Sequence, residues 1–304
     1  MTTFADYNEF IQRELKPAIV DTVIYDAIEP FKKHFTFEQV LGGDRITAKF
    51  RVGHTSNNAQ YDKSDVDVAS ATQTLVKPFW TKKQYQGMAE VHGIDISNDR
   101  PNPQGYNLIG DAVEIEAAAM KDTIQAALLA QLLADVDSAG TAYSDASLSR
   151  STYATLASYE ETTNATISLA YMRGMIQNVI LNKPVNLNDY ICMSEGSVYY
   201  TFKALAAALH TWNTATTPGN TQAMGWSDFD NFEGLAFAQP TEFTNMVTGS
   251  VFMLRRQDVF ITEHRLLEMK VKESGRDSSK VAMYYGINGH VENPLFQGKM
   301  LDKD

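Results

Sequence analysis

Apolar residues recur at intervals of three and four positions along one long stretch of the chain, residues 107–137. They are Leu108, Ile109, Ala112, Val113, Met120, Ile124, Ala127, Leu128 and Leu132. This spacing places them on one face of an α-helix, which would extend about 45 Å at roughly 1.5 Å per residue. Alanines in its middle would let other backbones approach closely. We interpret the stretch as a structural spine and not as the wall of an active site.

Two extended segments precede this predicted helix. Residues 46–52 alternate apolar and polar side chains, and residues 73–85 are rich in Thr, Val and aromatic residues. A polar excursion, residues 53–72, lies between them, so the pattern predicts a long two-stranded arm. An isolated hairpin is at best marginally stable in water, so the arm needs a surface to lie against. A neighbouring subunit would supply that surface, and the alternative is a hairpin folded onto its own domain. The candidates for contact between subunits are Ile46, Phe50, Phe79, Trp80 and Tyr85.

The first forty residues carry apolar and aromatic groups at helix-like intervals, with Pro17 and Pro30 as expected interruptions. They predict one or two short amphipathic helices. Docking on the same domain and docking across a subunit boundary both remain open.

The second half of the chain alternates helical and extended patterns. Helices are predicted at 168–182 and 196–212, and short strands at 190–193, 235–238 and 249–256. A hairpin is predicted from strict alternation around a polar turn at 274–279. We interpret the two glycines of its second strand, Gly286 and Gly289, as packing or bulge positions. The chain is therefore predicted to be α+β, with the spine helix covering one face of a sheet.

Composition excludes several classes of protein. The 304 residues include 26 Lys and Arg against 37 Asp and Glu, and a net charge of −11 has the wrong sign for a protein that grips nucleic acid phosphates. Lys77, Lys82 and Lys83 alternate with aromatic residues, which could form a surface for single strands. The alternative is a strand with one cationic, solvated face. The chain has one cysteine, no apolar run long enough for a membrane span and no signal-peptide pattern, so we expect a cytoplasmic protein.

Motifs for catalysis are missing from the sequence. The six histidines do not have the spacing of a zinc site, and no phosphate loop, nucleophile elbow or dinucleotide fingerprint is present. The carboxylate pairs Asp65 with Asp67 and Glu114 with Glu116 are typical of solvated surfaces, and residues two apart on a helix do not face each other. We predict no enzymatic activity, no cofactor and no metal.

The order of these elements resembles the major capsid proteins of tailed phages, which have the Hong Kong 97-type fold shared by encapsulin shells. Residues 194–203 are similar to the strand-to-helix passage of the family's axial domain, and residues 284–294 to its last strand and exit. The resemblance implies an N-terminal arm, an extended β-hairpin loop, a peripheral domain with a spine helix and an antiparallel sheet, and an axial domain. The implied division is 1–44 for the arm, 45–92 for the extended loop, 93–166 and 244–304 for the peripheral domain with its spine helix at 107–137, and 167–243 for the axial domain.

The resemblance also implies a function. Copies of the chain would close into an icosahedral shell around the double-stranded DNA genome of a tailed phage, without binding that DNA specifically. Implied partners are other copies, a portal, a separate scaffolding protein and a decoration protein. Assembly would occur in the host cytoplasm and the product would be the virion capsid. Some family members crosslink a lysine of the extended loop; Lys63, Lys77, Lys82 and Lys83 match by position only, and we predict no bond. Alternatives are an encapsulin-like cargo shell, a tail or surface subunit, and an enzyme of unrecognised type.

Overall fold

The computed structural model describes most of the chain outside several long segments. The described residues are 13, 16–20, 23, 26–43, 45–47, 50–55, 72–76, 79–92, 106–136, 159–180, 186–214, 231–232, 234–273, 278–292 and 297–303. The predicted polar excursion at 53–72 lies almost entirely outside them.

Helices and strands alternate along the described residues. The helices are α1 Lys16–Val20, α2 Ala27–His34, α3 Tyr106–Asp135, α4 Leu169–Ile180 and α5 Gly196–Thr214. The strands are β1 Thr36–Gln39, β2 Arg45–Thr47, β3 Phe50–Thr55, β4 Thr72–Val76, β5 Phe79–Thr81, β6 Gln84–His92, β7 Tyr159–Glu161, β8 Tyr190–Ser194, β9 Asn231–Phe232, β10 Leu235–Phe237, β11 Val251–Arg255, β12 Val259–Glu273, β13 Ser278–Val291 and β14 Gly298–Met300.

The first sheet has four strands in the order β1-β12-β13-β6. Its centre is the long antiparallel hairpin of β12 and β13, which confirms the hairpin predicted from alternation. Strand β1 was not predicted; it pairs parallel to β12. Side chains hold it there, because Gln39 Nε2 donates to Glu263 Oε2 at 3.1 Å and the Val40 amide donates to the Glu263 carbonyl at 2.9 Å.

The spine helix α3 lies on the inward face of this sheet. The predicted helix is confirmed, and its apolar stripe is buried at Ile109, Val113, Ala117, Met120, Ile124, Leu128 and Leu132. The sheet contributes Met283, Tyr285 and Ile287 to the same core. Gly289 of β13 permits close approach, since an added Cβ would lie 3.4 Å from the Leu128 Cδ2 atom. Helix and sheet are therefore in direct contact along their length.

The packing interpretation also holds for Gly286. An added Cβ there would lie 2.6 Å from His264 Nε2, far inside van der Waals contact. The ladder between β12 and β13 shifts register on both sides of Arg265, opposite this glycine. A bulge and a side-chain-free position thus occur together, as the sequence predicted.

The N-terminal helices dock on their own subunit. Ile19, Val23, Ile28 and Phe31 are buried in the same core as the spine helix. The prediction that prolines interrupt the helices was wrong at Pro30, which lies inside α2. Pro30 is in the first turn, where few backbone N–H groups have a partner within the helix, so its missing N–H costs little.

The second sheet has six strands in the order β7-β14-β11-β8-β10-β9. Its central strands β8 and β11 are buried on both faces. Tyr190 and Cys192 of β8 join the core of helices α4 and α5, whereas Ile191 and Met193 join the core of the spine helix. Because successive side chains of a strand point to opposite faces, this sheet is a wall shared by the two cores.

Strands from outside the predicted 167–243 range complete this sheet. β7, β11 and β14 come from residues 159–161, 251–255 and 298–300. The chain end is fixed beside it, since Lys303 is 1% exposed and its Nζ lies 4.2 Å from the ring centre of Tyr171. The edges of the implied domains therefore do not coincide with the edges of the two sheets.

We predict that Leu128→Ala lowers the free energy of unfolding by about 2–5 kcal/mol, because it leaves a cavity between helix and sheet. Leu128 is fully buried. The matched control is Ile115→Ala on the same helix, where the side chain is 71% exposed and the expected change is within about 0.5 kcal/mol. Urea unfolding measures both. Equal effects of the two substitutions would contradict the packing described here.

Candidate assembly site at the base of the arm

The two-stranded arm is present at its described end. β2 pairs antiparallel with β5, with Ile46 opposite Trp80, and β3 pairs antiparallel with β4, with Phe50 opposite Val76. Each pair is a two-stranded sheet of its own, separate from the two large sheets. The predicted hairpin is confirmed in these residues. We call β2, β5 and residues 82–83 the arm base.

Backbone contacts hold the arm base on its own subunit. Lys82 Nζ donates to the carbonyl oxygen of Val40 at 2.9 Å and also to that of Gly42. Asn288 of β13 accepts from the Lys83 amide at 2.8 Å and donates to the Thr81 carbonyl at 2.9 Å. Asn288 therefore replaces the ladder hydrogen bonds at the point where the chain leaves the sheet.

A buried aspartate connects the arm base to the end of the spine helix. Trp80 Nε1 donates to Asp135 Oδ2 at 3.1 Å, and the Val291 amide donates to the same oxygen at 2.7 Å. The indole ring of Trp80 lies 4.3 Å, centre to centre, from the ring of His290. One carboxyl group thus binds the arm, the helix and the last long strand of the first sheet.

Burial dominates the electrostatics of this contact. Asp135 is 5% exposed, and burial raises the pKa of its carboxyl from 3.8 to about 8, although the two N–H donors and the Lys83 charge act in the opposite direction. Burial also lowers the pKa of His290 to about 4. Both groups are therefore mainly neutral at pH 7.

A second polar side chain of the helix makes a similar connection one turn earlier. Gln131 Nε2 donates to the Tyr85 hydroxyl at 3.1 Å, and Gln131 Oε1 accepts from the Gly289 amide at 2.9 Å. Burial raises the pKa of Tyr85, so its hydroxyl stays protonated at neutral pH. The C-terminal part of the spine helix is thus bonded to the strands on both sides of it.

An open groove of about 450 Å³ lies between the arm base and the helix. Ala127, Ala130 and Ala134 form its helix wall, and Phe79 and Lys83 lie on the arm side. Ala130, Ala134 and Lys83 are exposed. The groove is shallow and carries no cluster of acid and base side chains, so its lining suits packing and not catalysis.

The structure places the five predicted contact residues on or beside the arm base. Ile46 and Trp80 are 7% and 8% exposed, so their side chains are packed within the subunit. Phe79 is half-buried beneath the Arg45 guanidinium, whose carbon lies 4.2 Å from the ring centre, and Tyr85 is half-buried against Gln131. Phe50 is described in its backbone pairing alone. Contact between subunits at these positions stays a prediction.

The placement of Trp80 decides between the two interpretations of the aromatic and basic stretch. Its ring contacts His290 and it is almost completely buried, so it cannot serve as a stacking platform for nucleobases. Lys82 is bound to backbone carbonyls. Lys77 lies outside the described residues. The stretch is the packed base of an arm.

Sequence reasoning missed the polar residues that hold this base. Asp135, Gln131 and Asn288 gave no motif, and each acts through contacts with residues distant in sequence. Glu116, proposed only as half of a surface pair, accepts a hydrogen bond from the Met88 amide at 3.1 Å on the edge strand β6. The available signal for Asp135 was an acid at the C-terminal end of a helix, where a negative charge is unfavourable.

Within the described ranges, no group of three or more His, Cys, Asp or Glu side chains could hold a metal ion. The pair Asp65 and Asp67 lies outside those ranges. No described helix has the length and apolar character needed to cross a membrane.

Comparisons with known proteins show the fold. No family model matches the chain, and no curated protein matches it. Three solved structures are similar over nearly full length. They are a virus-like particle from Pyrococcus furiosus (9% identity, 94% of this chain and 97% of that one, TM-score 0.53), the mature capsid of bacteriophage PhiM1 (11%, 89% and 86%, 0.57) and the SrpI encapsulin of Synechococcus elongatus (13%, 92% and 90%, 0.51). The α+β fold with a long helix on a sheet is thus confirmed as the Hong Kong 97-type.

We predict that the stability of the subunit depends on pH through Asp135. The folded-state pKa of about 8 exceeds the ordinary value of 3.8, so folding takes up a proton between these values. Stability should therefore fall as pH rises from about 4 to about 8 and level off above. Asp135→Asn, which keeps an acceptor and cannot ionise, should lose this slope, whereas Asp111→Asn on the exposed face should keep it. Urea unfolding at pH 5, 7 and 9 gives the slopes; identical slopes in wild type and Asp135→Asn would exclude the assignment.

Proposed function

We propose that this chain, which has the Hong Kong 97-type fold, is a major capsid protein of a tailed phage. Its copies would assemble into an icosahedral shell that encloses double-stranded DNA. The observation that carries the proposal is the pair of strands β3 and β4, which form a sheet outside both large sheets. Two strands alone are marginally stable in water, and a neighbouring copy would cover them. The near-full-length similarity to phage and encapsulin shells supports this.

Each part of the fold then has a mechanical role. The arm would lie over an adjacent subunit, the spine helix and first sheet would form the peripheral domain, and residues 167–243 with the strands that complete their sheet would form the axial domain. An interface repeated by closed symmetry gives a stable particle from many weak contacts. No step of this function requires catalysis, and we propose that the protein is not an enzyme.

The charge of the chain suits a container for DNA. With a net charge of −11 the shell wall would hold few phosphate contacts, so packaged DNA could slide against it. The implied partners are a scaffolding protein, a portal and a decoration protein, and the site of assembly would be the host cytoplasm. An encapsulin-like shell that holds protein cargo is the second candidate, because an encapsulin matches as well as the phage capsids do.

We predict that shortening the arm separates folding from assembly. Thr55 pairs with Thr72, so replacing residues 56–71 with Asn-Gly would close the hairpin with a two-residue turn. The arm base and both cores are untouched, so the thermal unfolding midpoint should stay near wild type, while closed shells should not form. The control carries the same residues 56–71 in scrambled order. Normal particles from the shortened chain would contradict the role of the arm.

The content of the particles separates the two candidate functions. We expect particles from the producing host to contain nuclease-resistant double-stranded DNA, measured by extraction after nuclease treatment and by the ratio of absorbance at 260 and 280 nm. Particles that lack DNA and contain a second protein inside would overturn the phage assignment in favour of an encapsulin-like compartment.

A further inference from the structure

We propose that Asp135 and Trp80 form a latch that is controlled by protonation. With its carboxyl neutral, Asp135 holds the arm base on the end of the spine helix; loss of the proton releases Trp80 and frees the arm base. The latch is a property of the single subunit, so it goes beyond the proposed function and does not depend on it.

The position of Asp135 makes its ionised form unfavourable for two separate reasons. It is the last residue of a 30-residue helix, where the backbone carbonyls already present partial negative charge. Its side chain is also almost completely withdrawn from water. An ion in this position needs a cation or water, and two N–H donors replace only part of its hydration.

The surroundings supply no close cation. Within the described part of the chain, no Lys or Arg forms an ion pair with Asp135. Lys83, in the arm base, acts on it only at longer range and is exposed. On β13, His290 is neutral throughout the range in which Asp135 titrates, and Glu292 beyond it is an acid that adds no positive charge. On β6, Tyr85 is bonded to Gln131 and stays protonated.

Water is the remaining way to stabilise the carboxylate, and Trp80 controls its access. Both residues line the open groove beside the helix, so solvent lies close to the carboxyl group. The indole N–H occupies Oδ2 and the ring covers the site. Displacement of Trp80 would let groove water reach the ionised carboxylate, and this movement would break the contact between arm base and helix.

Trp80 itself reports the state of the latch. The sequence has three tryptophans, so replacing Trp212 and Trp226 with Phe leaves Trp80 as the single emitter. We expect its emission to shift to the red and its quenching by acrylamide to increase as pH rises, with a midpoint near pH 8. The transition should be lost in the same background carrying Asp135→Asn. Circular dichroism at each pH checks that the subunit stays folded.

A surface substitution keeps the test decisive if Asp135→Asn fails to fold. Lys83→Met removes the cation that favours the carboxylate and should move the midpoint to higher pH; Lys121→Met, at an exposed ion pair elsewhere on the helix, should leave it unchanged. A flat profile in the single-tryptophan protein would overturn the proposal. So would a transition that persists in Asp135→Asn, or one that Lys83→Met does not move.

Discussion

The contact between the spine helix and the first sheet is the interaction on which the rest of the structure depends. One apolar stripe of the helix is buried along its whole length, and the inward face of β13 meets it without a gap because Gly289 has no side chain. The N-terminal helices and one face of the second sheet join the same core. Burial of this stripe therefore fixes the position of every other element in the described chain.

The arm is attached to this core by polar contacts, and this difference has consequences for assembly. Trp80, Lys82 and Lys83 are held by one carboxyl group and a few carbonyl and amide groups, whose net contribution is about 0.5–1.5 kcal/mol each. The core, by contrast, is an apolar interface that cannot rearrange without opening cavities. A subunit built in this way can move its arm while its body stays rigid, which suits a protein that must fit different neighbours in a closed shell.

The sequence predicts the elements with a clear periodicity and misses those defined by distant partners. The spine helix and the final hairpin have strong 3.6- and 2-residue patterns, and both were found. Strand β1 is four residues long with mostly exposed side chains, and β14 pairs with strands far away in the sequence, so neither has a local signal. Trp80 was found as an aromatic contact, but its partner Asp135 was not, because only the tertiary fold brings a helix end beneath the arm. Motif analysis has no pattern for such a residue.

The most direct test of the account is whether the purified chain assembles. Size-exclusion chromatography followed by negative-stain electron microscopy, with the chain alone and with its scaffolding partner, measures this without assuming any role for single residues. The account predicts closed particles, or rings of five and six subunits. A protein that remains a monomer or small dimer under every condition would contradict it.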